Sequence, residues 1–187
     1  MSVQSRALVG RLKRGDPQLL PQYAARVSSL VQQGHWPGFF GADVTLVPVP
    51  GSSPLVRGGL WVPLLVARAL HVAGLCRDVS PLVTRTSAVA KSAYQPAAQR
   101  PTVQQHYDSL RAEVLAPAPT RIVLVDDVVT MGSTMLAAAS RVVEAYPRAD
   151  VRGFALVRTM SGVEVNVTVD PCTGTIEPRR DRAVRRP

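Results

Sequence analysis

The sequence predicts a doubly wound α/β domain with a mainly parallel sheet. Three observations carry that prediction. Arg121-Ile122-Val123-Leu124-Val125 is an apolar, β-branched run without alternation, the pattern of a strand buried on both faces. Strand-like runs alternate with helix-like stretches along the chain. The strongest strand also runs through two adjacent acids and a small-residue turn straight into a helix, and open α/β sheets bind their ligands at that edge.

In chain order, residues 1–16 read as polar and loosely structured. Residues 17–33 place Leu20, Tyr23, Val27, Leu30 and Val31 at helical spacing, with Asp16 as cap, Pro17 in the first turn and a stop near Gly34. Trp36-Pro37-Gly38 is a loop, and Trp36 with Phe39 and Phe40 is expected to pack this first segment or to form a hood over a site. Val44 to Pro50 is a buried strand whose prolines, unable to donate to a ladder, belong at its carboxyl end. Leu60 to Val72 returns to helical periodicity, with Pro63 near the first turn. A strand is expected at 80–84. The stretch 87–105, rich in Ala, Gln, Ser and Pro, reads as a long mobile loop, and 107–114 as a short helix or strand. After the 121–125 strand come a helix from about Met135 to Tyr146, a strand at 151–157, an outer strand at 162–169, and a turn-rich, then basic, tail. The organisation expected is an N-terminal helical segment over 1–41, an α/β domain over 42–170 and a flexible tail over 171–187.

The chain has 187 residues, 46% hydrophobic and 19% charged, which is ordinary globular composition and excludes global disorder. Its 22 Lys and Arg against 13 Asp and Glu give a formal charge of +9. Five Arg and one Asp in 179–187 account for about half of that excess. A basic balance of this size suits a phosphorylated small molecule as well as nucleic acid. Neither Cys76 nor Cys172 has a second Cys or a His at metal-ligand spacing, which excludes a zinc ribbon or finger. The first residues open no long apolar run, and the oiliest stretch, 60–67, is too short to span a bilayer and holds a Pro. The expected location is the cytoplasm, with no membrane partner.

The chemistry concentrates in Val123 to Thr134. Thr130, Met131, Gly132, Ser133 and Thr134 can turn several backbone N–H groups toward one point at a helix N-terminus, which favours a phosphate. Asp126 and Asp127 stand just before it, where paired carboxylates can accept hydrogen bonds from a vicinal diol and help hold Mg²⁺. Phosphate on one side and diol on the other describe ribose 5-phosphate.

Leu124-Val125-Asp126-Asp127-Val128-Val129-Thr130-Met131-Gly132-Ser133-Thr134 resembles the phosphoribosyl-pyrophosphate signature of type I phosphoribosyltransferases, with Met131 where that family usually has Thr, Ser or Ala. Val47-Pro48-Val49-Pro50-Gly51-Ser52-Ser53, followed by Arg57-Gly58, is similar to the pyrophosphate loop of ComF-like and amidophosphoribosyltransferase-like members. The resemblance spans about residues 42–160. The four-cysteine zinc module often found in ComF-like proteins is absent. What it implies is a type I phosphoribosyltransferase sheet with a small hood from the two ends of the chain. It implies binding of phosphoribosyl pyrophosphate by Asp126, Asp127, Val128, Val129 and Thr130 to Thr134, and of the leaving pyrophosphate by Pro50, Gly51, Ser52 and Arg57. Arg85, Lys91 and Arg100 fall in the family's flexible loop. The implied activity is Mg²⁺-dependent transfer of ribose 5-phosphate to a nitrogenous acceptor, with Asp126, Asp127, Arg57 and Lys91 in the catalytic roles and Asp126 and Asp127 toward the metal. The alternatives are a non-catalytic regulator that binds phosphoribosyl pyrophosphate or a nucleotide, and a competence-type accessory protein touching nucleic acid weakly through its basic tail. A homodimer is one option for assembly. His106 could serve as a general base, but a structural role is the expectation for it, as for His35, His71 and both cysteines.

Overall fold

The structure, a computed structural model, describes residues 3–90, 100–159 and 172–186. In chain order the elements are α1 (Val3–Lys13), α2 (Leu19–Gln32), β1 (Gly41–Pro48), α3 (Val62–Val72), β2 (Cys76–Val79), β3 (Val83–Arg85), α4 (Val103–Asp108), β4 (Leu110–Ala112), β5 (Arg121–Val129), α5 (Ser133–Ala145), β6 (Asp150–Arg158), β7 (Thr175–Arg179) and β8 (Arg182–Arg186). Four of the strands form one sheet in the order β2-β1-β5-β6, every pair parallel. Two antiparallel pairs, β3-β4 and β7-β8, lie outside it.

The sheet is covered on both faces, as a parallel sheet requires. On one face Val44, Leu46, Val123 and Val125 pack with Val62, Val66 and Leu70 of α3 and with Leu19, Leu20 and Val27 of α2. On the other, Val47, Ile122 and Leu124 meet Met135, Ala137, Ala138 and Val142 of α5. The alternation along β5 therefore feeds two cores, which explains its unbroken apolar sequence. The aromatic expectation resolves as packing: Phe40 and Phe154 meet edge to face at 5.2 Å, with Trp36 5.7 Å from Phe154.

From β1 the chain moves to β2 on one side, and from β5 to β6 on the other. The order reverses between β1 and β5, so the crevice beyond their carboxyl ends is the sheet's topological switch point. The Val49 N–H donates to the Val125 carbonyl at 2.8 Å, bringing the two strand exits side by side.

Several expectations change. β5 does not end at Val125 but stays paired with β6 through Asp126↔Ala155 and Val129↔Arg158, so both acids lie within the strand rather than at its very end. α5 starts at Ser133, two residues early, because Gly132 at φ +89 turns the chain directly into the helix. The strand expected at 80–84 starts late, as β3 at Val83, and β2 has already ended at Val79; Pro81 between them has no N–H for a ladder. Arg85 closes β3 opposite Leu110 and is 6% exposed, so it belongs to no mobile loop. Within 87–105, Thr102 and Gln105 build a reciprocal capping box that starts α4. Residues 3–13 form a helix rather than loose chain, and Leu12 is wholly buried. The tail expected to be flexible contains the β7-β8 hairpin, held because Ala183 is wholly buried. Lys91 and the outer strand expected at 162–169 lie outside the described residues.

Among the described residues no helix is long and apolar enough to cross a membrane. Cys76 and Cys172 are both free thiols. Burial, then the nearby charge of Asp78, pushes the Cys76 thiol up to about 11, so it stays protonated and inert.

Candidate functional site

A cavity of about 160 Å³ opens at the carboxyl end of β5. It is lined by Asp126, Val128, Val129, the whole Thr130–Thr134 turn and His106, with Arg100 and Arg182 as its cations. A single water needs roughly 10–15 Å³ by this kind of measure, so a phosphate group fits. Thr130 and Met131 are exposed, while the Leu136 N–H donates to the Gly132 carbonyl at 2.8 Å and ties the turn into α5.

The two acids divide. Asp126 lines the cavity, and its Oδ1 accepts the Asp127 backbone N–H at 2.9 Å. Burial first, and then the adjacent Asp127 charge, hold its carboxyl well above the usual carboxylate range. Asp127 is buried, and its Oδ2 lies 2.7 Å from the Lys13 ammonium at the end of α1. Successive strand residues point to opposite faces, which accounts for the separation. Sequence reasoning missed Lys13. The one available signal was its rarity, since 20 of the 22 basic residues are Arg.

The β1 exit, Pro50–Ser52, occupies the same sheet edge but does not line the cavity. Buried Arg85 spans the gap. Its Nε donates to the Gly51 carbonyl and one terminal nitrogen donates to Ser109 Oγ. Its other terminal nitrogen is 3.5 Å from His106 Nδ1, and Thr134 Oγ1 is 3.4 Å from His106 Nε2. Burial lowers the His106 pKa to about 4, with the Arg85 charge adding to the shift, so the ring is neutral at pH 7. Burial also lowers the Arg85 pKa to about 10, which leaves it charged. His106 is thus a buried member of a polar chain joining the two loops. Arg57 is exposed on the 51–60 loop and stands apart from the cavity.

The β7-β8 hairpin closes the other side. Arg185 donates to the Thr130 carbonyl at 3.0 Å and to the Thr159 carbonyl at 2.6 Å. The Ile176 side chain sits where a Cβ on Gly132 would be, 2.7 Å from that position, so only glycine fits there. Nothing in the basic tail's composition foretold this contact.

Among the described residues no cluster of three or more His, Cys, Asp or Glu could hold a metal by itself. Mg²⁺ is usually held by one or two carboxylates together with substrate phosphates; Asp126, on the cavity side, fits as the one carboxylate, whereas Asp127, expected to share the metal, points to the opposite face and is engaged by Lys13.

No protein-family model matches the sequence, and no curated protein does. Among solved structures, the chain is similar to a hypoxanthine phosphoribosyltransferase from Trypanosoma cruzi in a ternary substrate complex. The two share 10% sequence identity over 81% of this chain and 78% of that one, with a TM-score of 0.39. An overlap this loose transfers no residue from one chain to the other.

Proposed function

We propose that the chain is a type I phosphoribosyltransferase of the ComF-like branch, transferring ribose 5-phosphate from phosphoribosyl pyrophosphate to a nitrogenous acceptor. One observation carries the reading: Asp126 and the complete Thr130–Thr134 turn share one cavity at the topological switch point. The turn's amides and hydroxyls bind the sugar's phosphate, and the start of α5 adds roughly half a positive charge. Asp126 accepts from the ribose hydroxyls. Pro50, Gly51 and Ser52 at the neighbouring strand exit, with Arg57, meet the pyrophosphate, and Lys91 and Arg100 come from the segment that precedes α4. In the reaction the anomeric carbon–oxygen bond to pyrophosphate breaks and a carbon–nitrogen bond forms, the acceptor nitrogen giving its proton to solvent. The protein's task is alignment and stabilisation of charge on the sugar and the leaving group. Asp126, together with the substrate's own phosphates, would hold Mg²⁺, which would supply charge neutralisation of the diphosphate when bound.

Calorimetric titration with phosphoribosyl pyrophosphate, with and without Mg²⁺, tests the binding half. Micromolar affinity, about −7 to −8 kcal/mol, is expected, with Asp126→Asn at least about tenfold weaker. Equal affinity in both proteins removes the site assignment. Pyrophosphate release with a panel of nucleobases and amines tests turnover.

A second reading, a regulator that binds phosphoribosyl pyrophosphate or a nucleotide without transfer, draws on the Lys13–Asp127 ion pair, which engages one of the two acids. Tight binding without pyrophosphate release on any acceptor selects it.

A further inference from the structure

The hairpin places a cation in the cavity for which the reading above has no use. We propose that Arg182, delivered by the β7-β8 hairpin, is the side-chain ligand of the sugar phosphate seated on the Thr130–Thr134 turn. This rests on the phosphoribosyl reading and assigns it a residue from outside the signature.

Arg182 lines the cavity together with the turn. Its backbone is fixed on both sides. The preceding Asp181 carbonyl accepts the Val103 N–H at 2.9 Å, and the following Ala183 is wholly buried. Ile176 against Gly132 and Arg185 on the Thr130 carbonyl lock the rest of the hairpin to the same turn. The guanidinium therefore starts from a rigid point beside the amides.

The charge balance favours such a group. A phosphate monoester carries about −1.5 to −2 charges at neutral pH, while a helix start offers roughly half a positive charge. His106, the ring on the cavity wall, is neutral at pH 7, and among the described lining residues the other cation is Arg100. Amides alone leave a surplus of negative charge in a half-enclosed space. Among the described residues, no carboxylate forms an ion pair with Arg182. In register it faces Arg179, a like-charge pair that disfavours the hairpin until an anion neutralises one member. A planar, bidentate guanidinium suits phosphate oxygens.

The test is calorimetry with two probes, ribose 5-phosphate and phosphoribosyl pyrophosphate, on wild type, Arg182→Ala, Arg182→Lys and Arg186→Ala. Arg186 is on the same hairpin but outside the cavity. Arg182→Ala is expected to weaken both probes by the same factor, about 10- to 100-fold, the range for a charge-assisted hydrogen bond. Arg182→Lys should recover part of the loss, and Arg186→Ala should stay within about twofold. Thermal midpoints of the variants report that each is folded. If wild type binds both probes and Arg182→Ala binds them equally well, the inference falls and the phosphoribosyl reading stands. Loss for phosphoribosyl pyrophosphate alone puts Arg182 on the pyrophosphate and also overturns it. If wild type binds neither probe, both readings fall together.

Discussion

Lys13 places its ammonium 2.7 Å from Asp127 Oδ2, joining the last turn of α1 to the strand that carries both acids. Asp127 is 3% exposed, so the pair decides whether a buried negative charge is compensated. Lys13→Met leaves Asp127 without its counter-charge. With Lys13 itself half exposed, the expected loss is about 1–2 kcal/mol, or a fall of roughly 3–6 °C in thermal midpoint. Lys13→Arg should keep most of it. An unchanged midpoint in Lys13→Met would show that the contact does not hold α1 in solution.

Gly132 is required twice, by its φ of +89 and by the Ile176 side chain that fills the place of a Cβ. Gly132→Ala should cost about 1–3 kcal/mol. Ile176→Ala in the same chain relieves the clash but not the backbone strain. The double variant is thus expected to recover part, not all, of the stability in denaturant unfolding. Additive losses would place Ile176 away from the turn.

His106 ties stability to pH. Its folded pKa is about 4, lowered by burial and then by the Arg85 charge, against 6.5 in the unfolded chain. Between those values the unfolded state binds more protons, so stability rises with pH. The contribution is complete above pH 6.5 and is lost as pH falls toward 4, on the order of 3 kcal/mol in all. Asp126, whose carboxyl is raised, works in the opposite sense. The effect is therefore read as the difference between wild type and His106→Gln. Identical pH profiles for the two would remove the assignment.

Arg85 meets a carbonyl, a hydroxyl and an imidazole at three of its nitrogens. Lys has the charge but not the fork. Arg85→Lys should therefore lose about 1–3 kcal/mol of stability and speed hydrogen exchange of the 50–52 loop. Full stability in Arg85→Lys would show that charge alone suffices there.

The legible parts of this molecule are those whose signal is local. The β-branched run of β5, the prolines after β1 and the helical spacing in α2, α3 and α5 each record burial against neighbours in the same motif. The 130–134 turn was legible because Gly and hydroxyl residues between strand and helix have few other uses. Three features were not. α1 interleaves its apolar residues with Gln4, Arg6, Arg11 and Lys13 and acquires its place through Leu12 and Lys13 docking on distant elements. The β7-β8 hairpin reads as a charge run because its anchors, Ile176 and Arg185, act on groups at least 26 residues away in sequence. The separation of Asp126 from Asp127 depends on β5 continuing past Val125, and nothing in the local sequence marks that strand's end.

The buried guanidinium of Arg85 has an electrolyte consequence. Exposed arginines lose their pull on anions within a Debye length, about 8 Å at physiological ionic strength, whereas a charge enclosed by protein is shielded far less. Anion affinity at this edge should accordingly fall with added salt to a plateau rather than to zero, the residual part belonging to the cation that dissolved ions cannot reach.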